Sequence, residues 1–213
     1  TTEYRYSADN QLTEIVTPKG DFELRMTYDS KWRVSQQTVG ENATYAFTYA
    51  DDRTLCTIED AHNNQTIHHY DEKARLVQIV HPDSATEEFG YDADFNRVSY
   101  QDGEGETWQY TYDSRGNRLT ETGPLGYYRE WTYNAQNLVT QLVEQVDAST
   151  TRQTSFYYDV NGNLSQVCMP LGACATISYD RGEPAELVDL AGHKTVRSYD
   201  GVGNLVAVEN AAG

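Results

Sequence analysis

The chain is short of basic residues, cysteine, proline and long apolar runs, and each shortage removes a class of function. Sixteen Lys and Arg stand against 33 Asp and Glu, for a formal net charge of -17. Nucleic-acid backbones and anionic lipid heads carry the same sign, so long-range forces oppose binding to either. Acidic side chains on this scale instead keep a broad surface soluble. No run of 18 apolar residues occurs, so no membrane-spanning helix and no membrane insertion are expected. No secretory-leader pattern opens the sequence. The three cysteines, Cys56, Cys168 and Cys174, fit neither a small secreted disulfide framework nor paired zinc knuckles. Cys168 and Cys174 flank Pro170-Leu171-Gly172 and are placed to face each other across a hairpin. The favoured expectation is nevertheless small buried thiols rather than a bond. Gly-x-Ser-x-Gly and phosphate-binding glycine loops are also missing.

What is abundant is tyrosine, 17 residues in a chain of 213 with a mean hydropathy of -0.72. Disordered chains of such polarity are poor in aromatic and β-branched residues. Here Tyr, Val, Thr, Leu and Ile recur throughout, which predicts a folded β protein with large wet surfaces.

The tyrosines are periodic, and the period decides the fold class. Tyr6, Tyr28, Tyr49, Tyr70, Tyr91, Tyr112, Tyr133, Tyr158, Tyr179 and Tyr199 follow one another at intervals of 22, 21, 21, 21, 21, 21, 25, 21 and 20 residues. The long interval holds Val146-Asp147-Ala148-Ser149-Thr150-Thr151, read as an extended loop. Asp follows Tyr at Asp29, Asp71, Asp92, Asp113, Asp159, Asp180 and Asp200. The clearest copies run on to Gly-Asn, at Gly116-Asn117, Gly162-Asn163 and Gly203-Asn204. Asp bonds backbone N–H groups ahead of it, and Gly and Asn tolerate positive φ, so these are turn residues.

A second turn lies half a period away. Pro18-Lys19-Gly20, Pro124-Leu125-Gly126 and Pro170-Leu171-Gly172 suit a type I turn with a glycine bulge. Pro184 falls in the tyrosine turn, so no proline is expected inside a strand. Residues two before each Tyr, among them Tyr4, Met26, Phe47, Phe89, Tyr110, Trp131 and Phe156, share its face and make that face the drier one. Outgoing strands show apolar pairs three apart, such as Leu12 and Ile15, Leu55 and Ile58, or Leu164 and Val167. Either a β-bulge realigns them or both faces are partly covered.

Each period therefore supplies two strands and two turns. The fold class is all-β: tandem hairpins in a long curved antiparallel sheet, because open sheets of more than about ten strands curl. The domain reading is ten tandem repeats over 1–213 with no separate domain. Both ends cut through the pattern, at Thr1-Thr2-Glu3-Tyr4-Arg5-Tyr6 and at the turn-like Ala211-Ala212-Gly213. The chain is accordingly expected to be an excerpt of a longer polypeptide, with any export signal outside it.

The run Tyr-Asp-x-x-Gly-Asn-Arg/Leu at about 21 residues, with Pro-x-Gly turns between, resembles the YD repeats of the rearrangement-hotspot (Rhs) family. Those repeats also occur in toxin-complex B and C components and in teneurins. The resemblance covers the whole chain, although Tyr49-Ala50 and Tyr133-Asn134 lack the Asp. It implies a sheet spiralling into a hollow shell. In bacterial members the shell encloses a C-terminal toxin domain before delivery, which implies a secreted or cell-surface bacterial protein. In teneurins the same barrel is an adhesion scaffold, so a glycan- or protein-binding module is the alternative. Cargo-releasing members end their repeats with a self-cleaving Asp-Pro-x-Gly segment, which is missing here. The partners implied are neighbouring repeats and an enclosed toxin domain. No enzyme activity and no cofactor are implied.

Other candidate sites are weaker. A glycosidase carboxylate pair should be unique, and these carboxylates are periodic. Asp92-Ala93-Asp94-Phe95-Asn96 and Asp159-Val160-Asn161-Gly162-Asn163 resemble the start of a calcium loop, but the twelfth positions hold Gly103 and Pro170 rather than Glu. His62, His68, His69 and His81 cluster in sequence, with His68 in a ladder slot, so no metal site is expected. Trp32, Trp108 and Trp131 could stack on a sugar. Trp131 takes a ladder slot. Trp32 takes the glycine slot of its turn and is the expected exposed ligand contact. The positions expected to keep strand register are Tyr28, Asp29, Tyr70, Asp71, Tyr91, Asp92, Tyr112, Asp113, Gly116, Asn117, Tyr158, Asp159, Gly162, Asn163, Tyr199, Asp200, Gly203 and Asn204.

Overall fold

A computed structural model describes residues 1–40 and 42–210, and the turn expected at 211–213 lies outside them. The chain is all-β, with twenty strands in one open antiparallel sheet. It divides into two compact units, Thr1–Tyr91 with Ser99–Thr107, and Asp92–Val98 with the residues from Trp108 on.

The first unit carries β1 (Glu3–Tyr6), β2 (Leu12–Val16), β3 (Phe22–Tyr28), β4 (Val34–Val39), β5 (Ala43–Tyr49), β6 (Leu55–Glu59), β7 (Gln65–Tyr70), β8 (Leu76–Val80) and β9 (Thr86–Tyr91). Each pairs antiparallel with the next, a plain meander. The strand β10 (Arg97–Gln101) is divided between the units. The second unit continues with β11 (Thr107–Tyr112) from its second residue on, β12 (Arg118–Thr122), β13 (Tyr128–Tyr133), β14 (Val139–Gln145), β15 (Thr151–Tyr158), β16 (Leu164–Cys168), β17 (Cys174–Asp180), β18 (Glu183–Val188), β19 (Lys194–Tyr199) and β20 (Leu205–Asn210). It pairs in the same sequential way.

The alternation in sequence becomes an alternation in burial. In β3 the residues Phe22, Leu24, Met26 and Tyr28 are half-buried while Glu23, Arg25 and Thr27 are exposed. Only Val16, Cys56 and Tyr110 among the described residues are buried, each 6% exposed. The core is therefore a thin layer of side chains on the tyrosine face.

Bulges realign most of the apolar pairs three apart, but not Leu55 and Ile58, whose strand pairs without a shift. Tyr158 faces Leu164 and Phe156 faces Val167, with the extra residue Ser165 left out of the ladder between them. Leu12 and Ile15 are realigned likewise against Tyr6 and Tyr4. The same shift falls beside Tyr28, Tyr70, Tyr112, Tyr133, Tyr179 and Tyr199. An odd spacing plus one unpaired residue puts both apolar groups on one face.

Four expectations need correction. The residues of the long interval extend β14 and β15 to 7 and 8 residues, and Val146 and Thr150 close an ordinary five-residue turn. Pro184 lies inside β18, where it faces Tyr179 immediately before the unpaired Ala185, a position at which the ladder asks for no N–H. At Pro124-Leu125-Gly126 the closing bond runs from Tyr127 N–H to the Pro124 carbonyl, and both Leu125 and Gly126 have positive φ, unlike the glycine-bulge turns at Gly20 and Gly172. There Trp108 lies where a Cβ of Gly123 would stand, 2.7 Å away. Finally, Cys168 and Cys174 are directly opposed in the ladder and form a disulfide, while only Cys56 is a free, buried thiol. Opposed residues bring their Cβ atoms within bonding reach, and that favours the bond over two separate thiols. Replacing both by Ser is expected to cost about 2 kcal/mol, the chain-entropy value for so short a loop. Urea unfolding of the double variant measures it, and an unchanged midpoint would count against a structural bond.

Candidate functional site

The recurring unit of chemistry is the joint between successive repeats, made of an aspartate-locked turn, a bulge and a tyrosine hydroxyl. In the turn after Tyr112, Asp113 Oδ1 accepts the backbone N–H groups of Arg115 at 2.8 Å and Asn117 at 3.0 Å. Its Oδ2 accepts the side-chain amide of Asn117 at 2.9 Å. Asp92, Asp159 and Asp200 repeat this with Asn96, Asn163 and Asn204. At Asp29 and Asp71 an arginine replaces the asparagine, and Arg33 and Arg75 donate to Oδ2 at 2.8 and 2.7 Å. Those two guanidiniums also lie over the rings of Tyr49 and Tyr91 in the next repeat, 4.4 and 5.0 Å away.

These bonds go to the charged carboxylate and so favour it. The Asn117 side-chain amide, followed by its backbone N–H, lowers the Asp113 pKa to about 2. The Asp159 and Asp200 carboxyls are lowered for the same leading reason, by Asn163 and Asn204. For Asp29 and Asp71 the backbone N–H of Arg33 or Arg75 leads.

The turn closes with a residue at positive φ, 82° at Gly116, 85° at Gly162 and 91° at Gly203. Replacing Gly116 or Gly162 by Val is expected to cost about 1 kcal/mol or more, since a β-branched residue resists this region. Melting curves of the two variants check the turn directly.

The tyrosine hydroxyl joins one repeat to the one before. Tyr28 donates to the Leu12 carbonyl at 2.7 Å, Tyr112 to Arg97 at 2.9 Å, Tyr133 to Arg118 at 2.8 Å and Tyr158 to Val139 at 2.8 Å. Tyr49, Tyr91, Tyr179 and Tyr199 do the same to Val34, Leu76, Leu164 and Pro184. Leu12, Val34, Leu76, Arg118, Val139, Leu164 and Pro184 are each the residue just before a bulge, facing the tyrosine of the preceding repeat. The next ladder starts only two residues later, at Thr120↔Glu130 after Arg118. The bulge thus takes one carbonyl out of the ladder, and the phenol supplies its missing donor.

One joint breaks the rule and shows its logic. After Tyr49 stands Ala50 instead of Asp, and the turn takes an extra residue, closing from Ala50 N–H to the Leu55 carbonyl. No bulge follows, and Tyr49 faces Cys56. The next ladder then runs on to Leu55↔His69, and Tyr70 N–H takes the Thr54 carbonyl. The Tyr70 hydroxyl has no carbonyl left to serve and lies 3.4 Å from His68 Nδ1. Tyr133→Phe is therefore expected to cost about 1 kcal/mol, the worth of one partly buried bond, and Tyr70→Phe less than half of that. Equal costs in urea unfolding would contradict the assignment.

No protein-family model matches the sequence, and no curated protein matches it either. Solved structures do. A TcdB2-TccC3-TEV structure superposes on 99% of the chain with a TM-score of 0.70 and 12% identity. TcdB2-TccC3 without its hypervariable C-terminal region, and TcdB2-TccC3 itself, give 0.69 and 0.68 at the same identity. The chain has the TcdB2-TccC3 fold. It spans 14% of the length of those chains. The tandem antiparallel β-repeat fold that the YD-repeat resemblance implies is thus the one found.

The remaining candidates sit apart from the joints. Trp32 occupies the positive-φ slot of its turn at 66° and is 60% exposed, while Trp108 and Trp131 are half-buried. His81 Nε2 lies 2.7 Å from Glu87, whose other oxygen accepts the Tyr100 hydroxyl at 2.8 Å. Burial, and then His81, lower the pKa of His68. Among the described residues no three His, Cys, Asp or Glu side chains gather as a metal would need. The sequence reading missed the hydroxyl bonds. It also missed the same aspartate lock at the other turns, where Asp60, Asp102 and Asp189 each bond two backbone N–H groups. The signal was in plain view, as Asp-x-x-Asn/Gly one strand out of phase with the tyrosines.

Proposed function

We infer that the chain is a wall segment of a toxin shell, a curved sheet that encloses a C-terminal toxin domain until delivery. The observation that carries this is the superposition on TcdB2-TccC3 over 99% of the chain. The repeated joint supplies the physical means. Most of the turns after the tyrosines are locked by a side-chain carboxylate and almost every displaced carbonyl is bonded, so a sheet far wider than usual keeps its register. The function is steric, and the periodic carboxylates serve turns rather than substrate. The partners are adjacent repeats and the enclosed domain. The disulfide favours an oxidising, extracellular or cell-surface setting. In a polypeptide joining these repeats to a C-terminal domain, deletion of the repeats should unmask that domain's toxicity to the cell producing it. Equal harmlessness or equal toxicity with and without them would end this reading.

The adhesion alternative rests on Trp32, a bulky ring held at positive φ in open solvent. Loss of a glycan-array signal in Trp32→Ala would favour it.

A further inference from the structure

The irregular joint after Tyr49 leaves something the regular joints do not. Its missing bulge and displaced turn open a cleft of about 210 Å³, lined by Arg33, Tyr49, Arg53, Leu55, Cys56 and Tyr70 among others. Positions where a regular rule fails without evident compensation are where function is to be sought. The cleft is open to solvent on one side, and its volume is of the order of a single ring with a small substituent, since an enclosed cavity of about 150 Å³ takes a benzene ring.

The walls set the chemistry. Tyr49, Tyr70 and Leu55 give ring faces and aliphatic surface, and Cys56 is buried with no hydrogen-bond partner among the described residues. Burial pushes the Cys56 thiol and the Tyr49 and Tyr70 phenols up, so all three stay neutral at ordinary pH. Arg33 is already committed to Asp29 and to the Tyr49 ring. Arg53 is not. It sits at the turn with φ of 64°, and its guanidinium pairs with no acid and no ring among the described residues. The Tyr70 hydroxyl, without the carbonyl that its equivalents bond, lies against His68 Nδ1 at 3.4 Å and adds a second polar group to the rim. The cleft therefore offers an apolar slot and one uncommitted cation in a strongly acidic chain.

The geometry points to a binding site for a small aromatic carboxylate, its ring against the apolar lining of Tyr49, Leu55 and Tyr70 and its carboxylate on Arg53. This goes beyond the shell reading and does not depend on it.

The test is titration of the 213-residue chain with benzoate, followed by NMR, with benzyl alcohol as the neutral analogue. Arg53→Gly is the informative variant, because glycine suits the positive φ and should keep the fold, which a melting curve verifies. The expected result is saturation at about 1 mM or tighter, with benzyl alcohol and the Arg53→Gly chain each at least about tenfold weaker, as loss of a charged carboxylate contact implies. Absence of saturable binding up to about 20 mM, beyond what so small a ligand should need, overturns the proposal. So does equal binding of benzyl alcohol, and so does an unchanged benzoate affinity in a folded Arg53→Gly chain.

Discussion

Tyr110→Ala is expected to lose about 3 kcal/mol or more, the largest effect of any single truncation in this chain. Tyr110 is one of three buried residues, at 6% exposed. The guanidiniums of Arg97 and Arg118 lie over its ring at 5.3 and 4.8 Å. Arg118 also reaches toward Trp131 at 5.9 Å and pairs with Glu121, the cross-strand neighbour of Tyr110. Removing the ring takes away its burial, two cation–π contacts and the platform that orients Arg118. Little surrounds the site that can collapse into the gap, since the core is a single side-chain layer. Tyr157→Ala is the control, because Tyr157 points to the other face and is 51% exposed. It should change stability by about 0.5 kcal/mol or less. Similar urea midpoints for the two variants would show that the tyrosine face is not the core.

The second large effect is acid sensitivity. The turn carboxylates of Asp29, Asp71, Asp113, Asp159 and Asp200 are all lowered by hydrogen bonds that exist only in the folded chain. A depressed folded pKa means that the unfolded chain binds protons first as pH falls. The stabilisation is complete above the ordinary carboxylate value and disappears as pH drops through the folded one. Asp113 sets that window, from its ordinary 3.8 down to about 2. Melting temperature should therefore hold from neutral pH to about 5 and then fall steeply toward pH 2. The fall should be shallower when several of these aspartates are replaced by Asn, which keeps an acceptor without titrating. A flat profile below pH 4 would mean that the locks contribute nothing.

Much of this structure was legible because each repeat obeys one rule. The tyrosine period set the strand count, and the Asp, Gly and Asn after it placed the turns correctly at Asp113, Asp159 and Asp200. What stayed hidden has a common cause. Strand reading works with a period of two, and at that resolution a tyrosine is only a ring. The hydroxyl bond to a carbonyl 15 residues back requires knowing where the bulge falls, as at Tyr133 and Arg118. Spacings of three show that something is irregular without saying where the unpaired residue sits. Pro184 looked like a turn residue because proline is excluded from regular ladders, and the bulge beside it made an exception. For the Cys168–Cys174 bond the missing knowledge was register, since opposition across a hairpin depends on turn length. The cleft at Cys56 was invisible for a related reason. It arises from Ala50, whose missing carboxylate shifts the turn by one residue.

The central claim is that these repeats form a protective wall, and limited proteolysis tests it most directly. The polypeptide joining the repeats to a C-terminal domain is digested alongside a form lacking residues 1–213. The wall account predicts that the C-terminal segment survives only in the first. Cleavage at the same rate in both would contradict it and leave surface recognition through Trp32 as the better account.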